Sequence, residues 1–211
     1  MSPVTLQPQS NTLNKILVIY YSQHGSTALL AHQISLGIDA NTSCEAVVRC
    51  LPSVSFATEQ SVPSVPSSGV PYVEIEDLET CQGLIIGSPG YFGNMAAPLK
   101  FFFDQTSPIW LSGGLIGKPA GVFTSTSSMH GGQESVLLSM MLPLLHHGML
   151  ISGIPYSENS IHQTSSGGTP YGASHVATQQ DKPLSQDEIA VCQALGKRIA
   201  MLSVKLNADI A

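Results

Sequence analysis

The sequence predicts an α/β fold in which helices cover both faces of one parallel sheet of five strands. The first strand, Lys15–Tyr21, is an almost continuous apolar run, which is typical of a strand buried on both faces of a parallel sheet. A polar loop and then a helical pattern follow it directly. Two further apolar runs, Gly83–Gly87 and 118–124, end in the same way. Strands that alternate with helices indicate a doubly wound sheet.

The first half of the chain contains two strands, one helix and an irregular segment. Leu30, Ile34 and Ile38 have helical spacing and predict a helix over residues 27–38. Glu45–Cys50 is a short second strand. Residues 51–72 are rich in Ser, Pro and Val, and they predict an irregular surface excursion.

The second half continues the alternation, with Pro98 in the first turn of its first helix. The predicted elements are strand three at Gly83–Gly87, a helix over 95–106, strand four at 118–124, a helix over 133–147 and strand five at Met149–Gly153. A long Gly/Ser/Thr stretch then runs to Pro183. Ser185 and Glu188 form a capping box that starts the last helix.

This order of elements is typical of a flavodoxin-like sheet with the strand order 2-1-3-4-5. With 211 residues and a mass of 22.2 kDa, the chain suits one domain. We assign that domain to residues 14–208 and treat residues 1–13 as a flexible polar tail.

The charge pattern limits the classes of partner. Only 10% of the residues are charged and the formal net charge is −6. So few charges favour an oligomer, because little keeps apolar faces apart. No basic cluster is present, which argues against binding to nucleic acid or to anionic membranes.

The cysteines indicate a reducing compartment. Cys44, Cys50, Cys81 and Cys192 form no CxxC pair and have no partner at a zinc-type spacing. We therefore expect reduced thiols and no metal site. The sequence lacks a signal-peptide pattern and any apolar run long enough to span a bilayer, so we expect a cytoplasmic protein.

The loop after the first strand is a candidate phosphate site. Ser22, Ser26 and Thr27 supply hydroxyl groups at the start of a helix, where free amides and the helix dipole favour an anion. The loop contains no Lys or Arg, and it matches neither GxxxxGK[ST] nor GxGxxG. The alternative is an ordinary helix cap formed by Ser26 or Thr27.

Two further loops at strand ends share this character. Gly87–Asn94 combines glycines, which let backbone approach a flat ligand closely, with the aromatic faces of Tyr91 and Phe92. Ser125–Gly132 reads STSSMHGG. Because the carboxyl ends of parallel strands share one edge of the sheet, the three loops predict one ligand site there.

Several histidines are candidates for a role at this site. His24 and His130 lie in the loops. His146 ends a predicted helix, where a favourable interaction with the helix C-terminus is the alternative to contact with a ligand. His32, His162 and His175 have no pattern of partners. Trp110 suits either an exposed stacking face or a packed position.

The motifs together resemble the WrbA-type NAD(P)H:quinone oxidoreductases, from about Lys15 to Asn207. The segments that carry the resemblance are KILVIYYSQHGS, GSPGYFGNMAAPLKFFFDQT, STSSMHGGQES, LLHHGM, GGTPYGA and LSQDEIAVCQALGKRIA. The resemblance implies a homotetramer that binds FMN non-covalently, accepts electrons from NADH or NADPH and reduces a small quinone by two electrons. It also implies ping-pong kinetics, because donor and quinone use one cavity in turn.

The resemblance also implies roles for particular residues. The implied flavin-binding residues are Ser22, Gln23, His24, Gly25, Ser26, Thr27, Pro89, Gly90, Tyr91, Phe92, Gly93, Asn94, Ser125, Thr126, Ser127, Ser128, Met129, His130 and Gly131. His146 matches the first His of the HHGM motif, which approaches the flavin from another subunit, and it is the candidate catalytic group. Trp110, Tyr91 and His24 are the implied substrate-binding residues.

This chain departs from the family where the reductant and the quinone meet the flavin. Tyr91 stands where the family usually has Arg, and His24 where bacterial members have an aromatic residue. Ser127–His130 differs from the usual third loop. Two alternative functions therefore stay open: a flavodoxin-type electron carrier, and an FMN-binding regulatory protein with weak or lost turnover.

Overall fold

In the residues that the structure describes, helices alternate with the strands of a central sheet. The structure is a computed structural model, and it describes residues 12–55, 66, 68–178 and 182–208. The strands are β1 (Asn14–Tyr20), β2 (Cys44–Cys50), β3 (Gly83–Tyr91), β4 (Asn94–Met95), β5 (Pro119–Thr126), β6 (Leu150–Ile151) and β7 (Ala173–Val176). The helices are α1 (Ser26–Asp39), α2 (Ile75–Thr80), α3 (Ala97–Asp104), α4 (Ser107–Ser112), α5 (Gln133–His146), α6 (Ser160–Gln163) and α7 (Gln186–Ala208).

The strand order confirms the predicted flavodoxin-like sheet. Five parallel strands lie in the order β2-β1-β3-β5-β6, which is the predicted order 2-1-3-4-5. Tyr20 pairs with Gly87, and Pro89 pairs with Ser125. The carboxyl ends of β1, β3 and β5 therefore meet at one edge.

The fifth position in the sheet is shared between two short strands. β6 pairs with Pro119 and Ala120, whereas β7 pairs with β5 from Phe123 to Thr126. The chain leaves the sheet at Gly153, where a Cβ atom would lie 2.1 Å from the carbonyl oxygen of Pro170. The predicted strand at Met149–Gly153 is thus shorter than expected, and β7 lies in a stretch that was not predicted to be a strand.

Both faces of the sheet are buried, as the continuous apolar runs predict. On one face Leu17, Ile19 and Leu84 pack in a cluster that also includes residues of α2, α3, α4 and α5. On the other face Ile16 and Val18 pack in a cluster with residues of α1 and α7. Side chains alternate between the two clusters because successive residues of a strand point to opposite faces.

Several element boundaries differ from the prediction. The helix expected over 95–106 is α3, which ends at Asp104. It is followed by a turn, in which the buried Thr106 hydroxyl donates to the carbonyl of Phe103, 2.8 Å away, and then by α4, which was not predicted. The short helices α2 and α6 were not predicted. Most of the predicted tail, residues 1–11, lies outside the described residues, as do residues 56–65 and 67 of the predicted excursion.

Other predictions are confirmed. The Ser185 amide donates to a Glu188 carboxylate oxygen at 2.7 Å, and the Glu188 amide donates to the Ser185 hydroxyl at 3.2 Å, which is the predicted capping box. Pro98 lies in the first turn of α3.

The four thiols are free, and burial raises the pKa of each of them. Within the described parts of the chain, no helix has the length and apolar character that a membrane span requires.

Helices α1 and α7 pack with their backbones in close contact. A Cβ atom on Gly196 would lie 2.2 Å from the carbonyl oxygen of Ile34, and one on Gly37 would lie 2.3 Å from the carbonyl oxygen of Gln193. Neither carbonyl can rotate away, because each belongs to a helix. These two glycines therefore fix the position of α1, whose N-terminus lies at the carboxyl edge of the sheet.

We expect Gly196→Ala to destabilise the protein by about 1–3 kcal/mol, because the methyl group forces the two helices apart. Helix propensity alone predicts the opposite sign, since Ala is favoured over Gly by about 1 kcal/mol inside a helix. Urea unfolding measures the difference. Lys197→Ala, at the exposed neighbouring position, is the matched control. A Gly196→Ala protein as stable as the native protein would show that the helices are not in contact here.

Candidate functional site

Three loops meet at the carboxyl edge of the sheet and enclose a cleft of about 420 Å³. The first loop follows β1, and the second and third begin with the last residues of β3 and β5. The lining residues are Ser22, Gln23, His24, Ser26, Thr27, Pro89, Gly90, Tyr91, Ser125, Thr126, Ser127, Ala177 and Thr178. The site predicted from the three loops is therefore a single cavity.

The first loop leaves the N-terminus of α1 without a side-chain cap. Gly25 occupies the N-cap position with a positive φ of 88°, which favours glycine. The Ser22 hydroxyl accepts a hydrogen bond from the Gly25 amide at 3.1 Å. Ser26 and Thr27 are the first two residues of the helix, so neither is its cap, and that alternative is wrong. The uncapped first turn presents amide donors and the positive end of the helix dipole.

A buried hydrogen bond joins the first loop to the third. The hydroxyl oxygens of Thr27 and Ser125 lie 2.9 Å apart. Both side chains are almost fully buried. The bond connects the start of α1 to the end of β5, so the two loops keep a fixed separation.

The second loop is a tight hairpin built on Ser88. The Ser88 hydroxyl accepts from the Ala96 amide at 2.8 Å and donates to the Pro89 carbonyl, and the Thr124 hydroxyl donates to the Ser88 carbonyl at 2.8 Å. Phe92, at the tip, has a positive φ of 50°, which is uncommon for a bulky residue. Its side chain is fully exposed.

Tyr91 connects the second loop to the first. Its hydroxyl donates a hydrogen bond to the Gln23 side-chain oxygen. The ring remains about two-fifths exposed and forms a wall of the cleft. On the other side of this loop, a Cβ atom on Gly90 would lie 3.0 Å from a Thr126 methyl carbon, so a larger residue would require the second and third loops to move apart slightly.

The third loop is held by a chain of buried hydrogen bonds through Gln133. The side-chain amide nitrogen of Gln133 donates to the Thr126 hydroxyl at 3.2 Å, and that hydroxyl donates to the Ser128 carbonyl at 2.8 Å. The Gln133 oxygen accepts from the Ser174 hydroxyl at 2.6 Å, and the Ser174 oxygen accepts from the Gly168 amide at 2.8 Å. All of these hydrogen bonds run in the same direction, from Gly168 to Ser128. The positions of the hydroxyl hydrogens are therefore fixed, and so is the conformation of the third loop.

A buried hydrogen-bonded pair supports the segment that leads into β7. His175 and Glu188 are both almost completely buried, and the His175 Nδ1 atom lies 3.0 Å from a carboxylate oxygen of Glu188. The carboxylate also accepts from the amides of Ser185 and Gly167. Burial alone would raise the pKa of Glu188, but the hydrogen bonds from His175 and the two amides outweigh it and lower the pKa to about 2.

The structure separates the predicted site residues into two groups. Of the predicted loop residues, eleven line the cleft, whereas Gly25, Phe92, Gly93, Asn94, Ser128, Met129, His130 and Gly131 belong to its loops without lining it. His146 and Trp110 lie elsewhere, in a second cleft of about 440 Å³ between α3, α4 and α5. Within one chain they do not line the cleft between the loops.

The second cleft contains a buried histidine beside the predicted one. The Thr106 hydroxyl donates to the Phe103 carbonyl, so it accepts from the His147 Nε2 atom, 2.9 Å away, and the His147 Nδ1 atom has no partner among the described residues. Burial lowers the pKa of His147, and the nearby His146 lowers it further, so the ring is neutral at neutral pH. Trp110, in the same cleft, is half exposed, which resolves its position in favour of an exposed face.

Gln133, His175 and Glu188 support the site and were not predicted to do so. Gln133 carries a detectable signal, because it begins the helix after the glycines of the third loop. His175 carries no such signal in the sequence, because Glu188, its partner, was predicted only to cap the last helix. Among the described residues, no Lys or Arg lines the cleft between the loops, so helix amides and hydroxyl groups supply its hydrogen-bond donors.

Comparison with known proteins agrees with this geometry. The family model described as NADPH-dependent FMN reductase matches residues 14–160. A protein of Geotalea daltonii named NAD(P)H dehydrogenase (quinone) is 38% identical over 200 residues, which cover 91% of this chain and 98% of the relative. A protein of Geobacter sulfurreducens with the same name is 35% identical over 91% of this chain and 98% of its own length. These matches confirm the resemblance that the motifs indicate.

Solved structures show the same fold. A flavodoxin-fold, WrbA-like protein from Agrobacterium tumefaciens superposes with a TM-score of 0.63 at 20% identity, covering 91% of this chain and 98% of that protein. An archaeal flavodoxin gives a TM-score of 0.59 at 19% identity, with 92% and 99% covered.

The low pKa of Glu188 predicts a pH-dependent contribution to stability. Because the folded-state pKa lies below the ordinary value of 4.5, this contribution is fully present above 4.5 and is lost as pH falls towards 2. We expect Glu188→Gln to cost about 3 kcal/mol of unfolding free energy at neutral pH, and this deficit to shrink across that window. Urea unfolding of both proteins as a function of pH measures it.

Glu134→Gln removes an exposed carboxylate from the first turn of α5 and is the control. Its stability is expected to stay within about 0.5 kcal/mol of the native value. If the native protein and Glu188→Gln kept a constant difference from neutral pH to pH 2, the carboxylate would not be held in its ionised form by these hydrogen bonds.

Proposed function

The chain belongs to the NADPH-dependent FMN reductase family, and from that premise we propose that it reduces quinones by two electrons at an FMN bound between the three loops. It is an oxidoreductase that uses FMN and takes electrons from NAD(P)H. The observation that carries the location of the site is the uncapped N-terminus of α1.

The first loop fits the phosphate group of FMN. A phosphate monoester accepts hydrogen bonds from helix amides and from hydroxyl groups, and both kinds of donor lie here together. Ser22, Ser26 and Thr27 would donate to the phosphate oxygens. The positive end of the α1 dipole supplies the stabilisation that a cation would give elsewhere.

The second and third loops fit the flat ring system. Gly90 and the turn at Gly93 let the backbone approach a planar ligand, and Tyr91 supplies an aromatic face. The Gln133 chain holds the third loop in place, so Ser127 and the amides around it would face the polar edge of the ring. When bound, FMN supplies the centre that accepts and gives up the hydride.

The remaining cleft residues orient the two substrates. Tyr91 and His24 lie at the exposed side of the cleft, where the nicotinamide and the quinone would stack in turn. One cavity used alternately by both substrates gives ping-pong kinetics. Because Tyr91 replaces the family's usual Arg and no cation lines the described part of the cleft, stacking and neutral hydrogen bonds would hold the nicotinamide.

We also propose that the enzyme is a homotetramer in which one subunit completes the site of another. Trp110 and Leu111 on α4, together with Leu142 and Leu145 on α5, are large apolar side chains that are each more than half exposed. Monomeric proteins rarely expose a contiguous apolar patch of this kind. His146 lies in the same region, so an assembly through this surface would bring it and Trp110 to a neighbouring cleft.

The four free thiols and the sparse charge support the remaining assignments: a cytoplasmic location, one domain over residues 14–208 and no nucleic-acid partner.

The substitution Ser26→Asp tests the phosphate site and the activity together. A carboxylate at the first position of α1 repels the phosphate but interacts favourably with the helix dipole. We therefore expect FMN affinity to fall at least about tenfold, equivalent to 1.4 kcal/mol, while the thermal stability of the flavin-free protein does not decrease. Fluorescence titration with FMN and anaerobic reduction by NADPH followed by quinone are the measurements.

Ser160→Asp places the same charge at the first position of α6, away from the cleft, and is expected to bind FMN like the native protein. Equal FMN affinity in Ser26→Asp and native protein would place the phosphate elsewhere. If the native flavin were reduced but passed no electrons to quinone, the electron carrier or the regulatory protein would be the correct function.

Light scattering of the native protein tests the assembly. We expect four times the chain mass of 22.2 kDa. Leu142→Glu places a charge on the exposed apolar surface, so it is expected to give a smaller species with reduced quinone turnover and retained flavin. Leu36→Glu, on the exposed side of α1, is the control and leaves the tetramer intact. A stable native monomer with full flavin occupancy and full turnover would contradict the proposal.

A further inference from the structure

A third cavity, of about 300 Å³, lies beside the second loop and has no part in the function described above. Its walls come from the end of β1, the segment after β2, the second loop and the first turn of α3. We call it the side cavity, and it is lined by Tyr21, Ser53, Val54, Tyr91, Phe92, Ala96, Ala97 and Pro98.

The side cavity and the cleft between the loops share one wall. The Tyr91 side chain lines both. Its hydroxyl is held by Gln23 at the cleft. A ligand in the cleft would therefore reach the side cavity by passing around a single aromatic ring.

The lining of the side cavity selects an uncharged, apolar group. None of the lining residues that the structure describes is charged. The hydroxyl oxygens of Tyr21 and Ser53 lie 3.3 Å apart and bond to each other, and the hydroxyl of Tyr91 is taken by Gln23. What remains open to a ligand is aromatic faces, a valine, two alanines and a proline. Among the described residues this surface has no cation for a phosphate, a carboxylate or the diphosphate of a nucleotide, and the Tyr21–Ser53 pair leaves only one hydroxyl hydrogen free.

The size of the side cavity limits the ligand further. At about 300 Å³ it lies at the lower end of the range for small-molecule sites. It has room for a short alkyl or prenyl chain but not for a second dinucleotide.

We propose that the side cavity binds the apolar chain of a quinone whose ring occupies the cleft between the loops. The inference rests on the proposed function and narrows its substrate class to quinones that carry an alkyl or isoprenoid substituent. Tyr91 lies between the ring and the chain and determines how far the chain can enter. Apolar burial is the energetic basis of the preference, because each buried methylene group strengthens binding roughly fourfold.

The test compares a methoxy-substituted benzoquinone without a chain to its propyl, pentyl and decyl homologues. Binding to the oxidised, flavin-loaded protein is measured by calorimetry, and turnover with NADPH is measured separately. We expect affinity to rise from the chainless quinone to the pentyl homologue by about tenfold or more and then to level off, because a cavity of fixed volume fills. An affinity that is independent of chain length would overturn the proposal.

Val54→Trp fills the side cavity with an indole ring and is expected to remove the dependence on chain length in both measurements. Val54 is already about half exposed, so the larger side chain does not enter the core. Leu36→Trp, on the exposed side of α1, is the matched control and keeps the native dependence. If Val54→Trp fails to fold, Ala97→Phe narrows the same cavity from the first turn of α3.

The two readouts separate this proposal from the function on which it rests. Chain-length-dependent binding that Val54→Trp abolishes supports the side cavity even if turnover is absent, in which case the proposed function alone fails. An unchanged chain-length dependence in Val54→Trp overturns the proposal. The proposal is also overturned if Val54→Trp keeps the chain-length dependence and raises the Michaelis constant for NADPH, because the side cavity would then hold part of the nicotinamide cofactor.

Discussion

The parallel register of β1, β3 and β5 is the constraint on which the rest of the structure depends. Tyr20 is level with Gly87, and Pro89 is level with Ser125, so β3 and β5 end within one residue of each other and β1 ends three or four residues before them. The Thr27–Ser125 hydrogen bond exists only in this register. A slip of two residues along one strand would displace its loop by about 7 Å and open the cleft.

The register is reinforced by buried polar groups that lie behind the cleft. From the Glu188 carboxylate, hydrogen bonds run to Gly167, while the neighbouring Gly168 bonds to Ser174 and through it to Gln133. An unpaired buried polar group would cost about 1–3 kcal/mol, so each member stabilises the chain only while its neighbours stay in place. The long connection between β6 and β7 is therefore fixed to the sheet and to α7, despite its many Gly, Ser and Thr residues.

The site is built from neutral donors and apolar walls. Helix amides and hydroxyl groups face the first part of the cleft, and aromatic rings face its exposed side. Because few residues are charged, the outer surface is also partly apolar, and Trp110 and Leu142 are about half exposed there. One compositional property, a charged fraction of 10%, thus shapes both the binding of ligands and the surface available for assembly.

Local sequence alone determined the sheet, its strand order and the three loops. Continuous apolar runs identify buried parallel strands, and such strands end at one edge, so the cleft follows from pattern and chain order. The capping box at Ser185 and Glu188 was also predictable from local sequence, because its two residues are only three positions apart. Motifs at the loops were also sufficient to indicate the family.

Only the tertiary structure decided which residues share a cavity and which support it. The pair His175–Glu188, the split of the fifth strand into β6 and β7, and the side cavity beside Tyr91 all join residues far apart in sequence. It likewise placed His146 and Trp110 in a second cleft, away from the loops of their own chain. Contacts of this kind depend on how whole elements pack, and periodicity within one element contains no information about its distant neighbours.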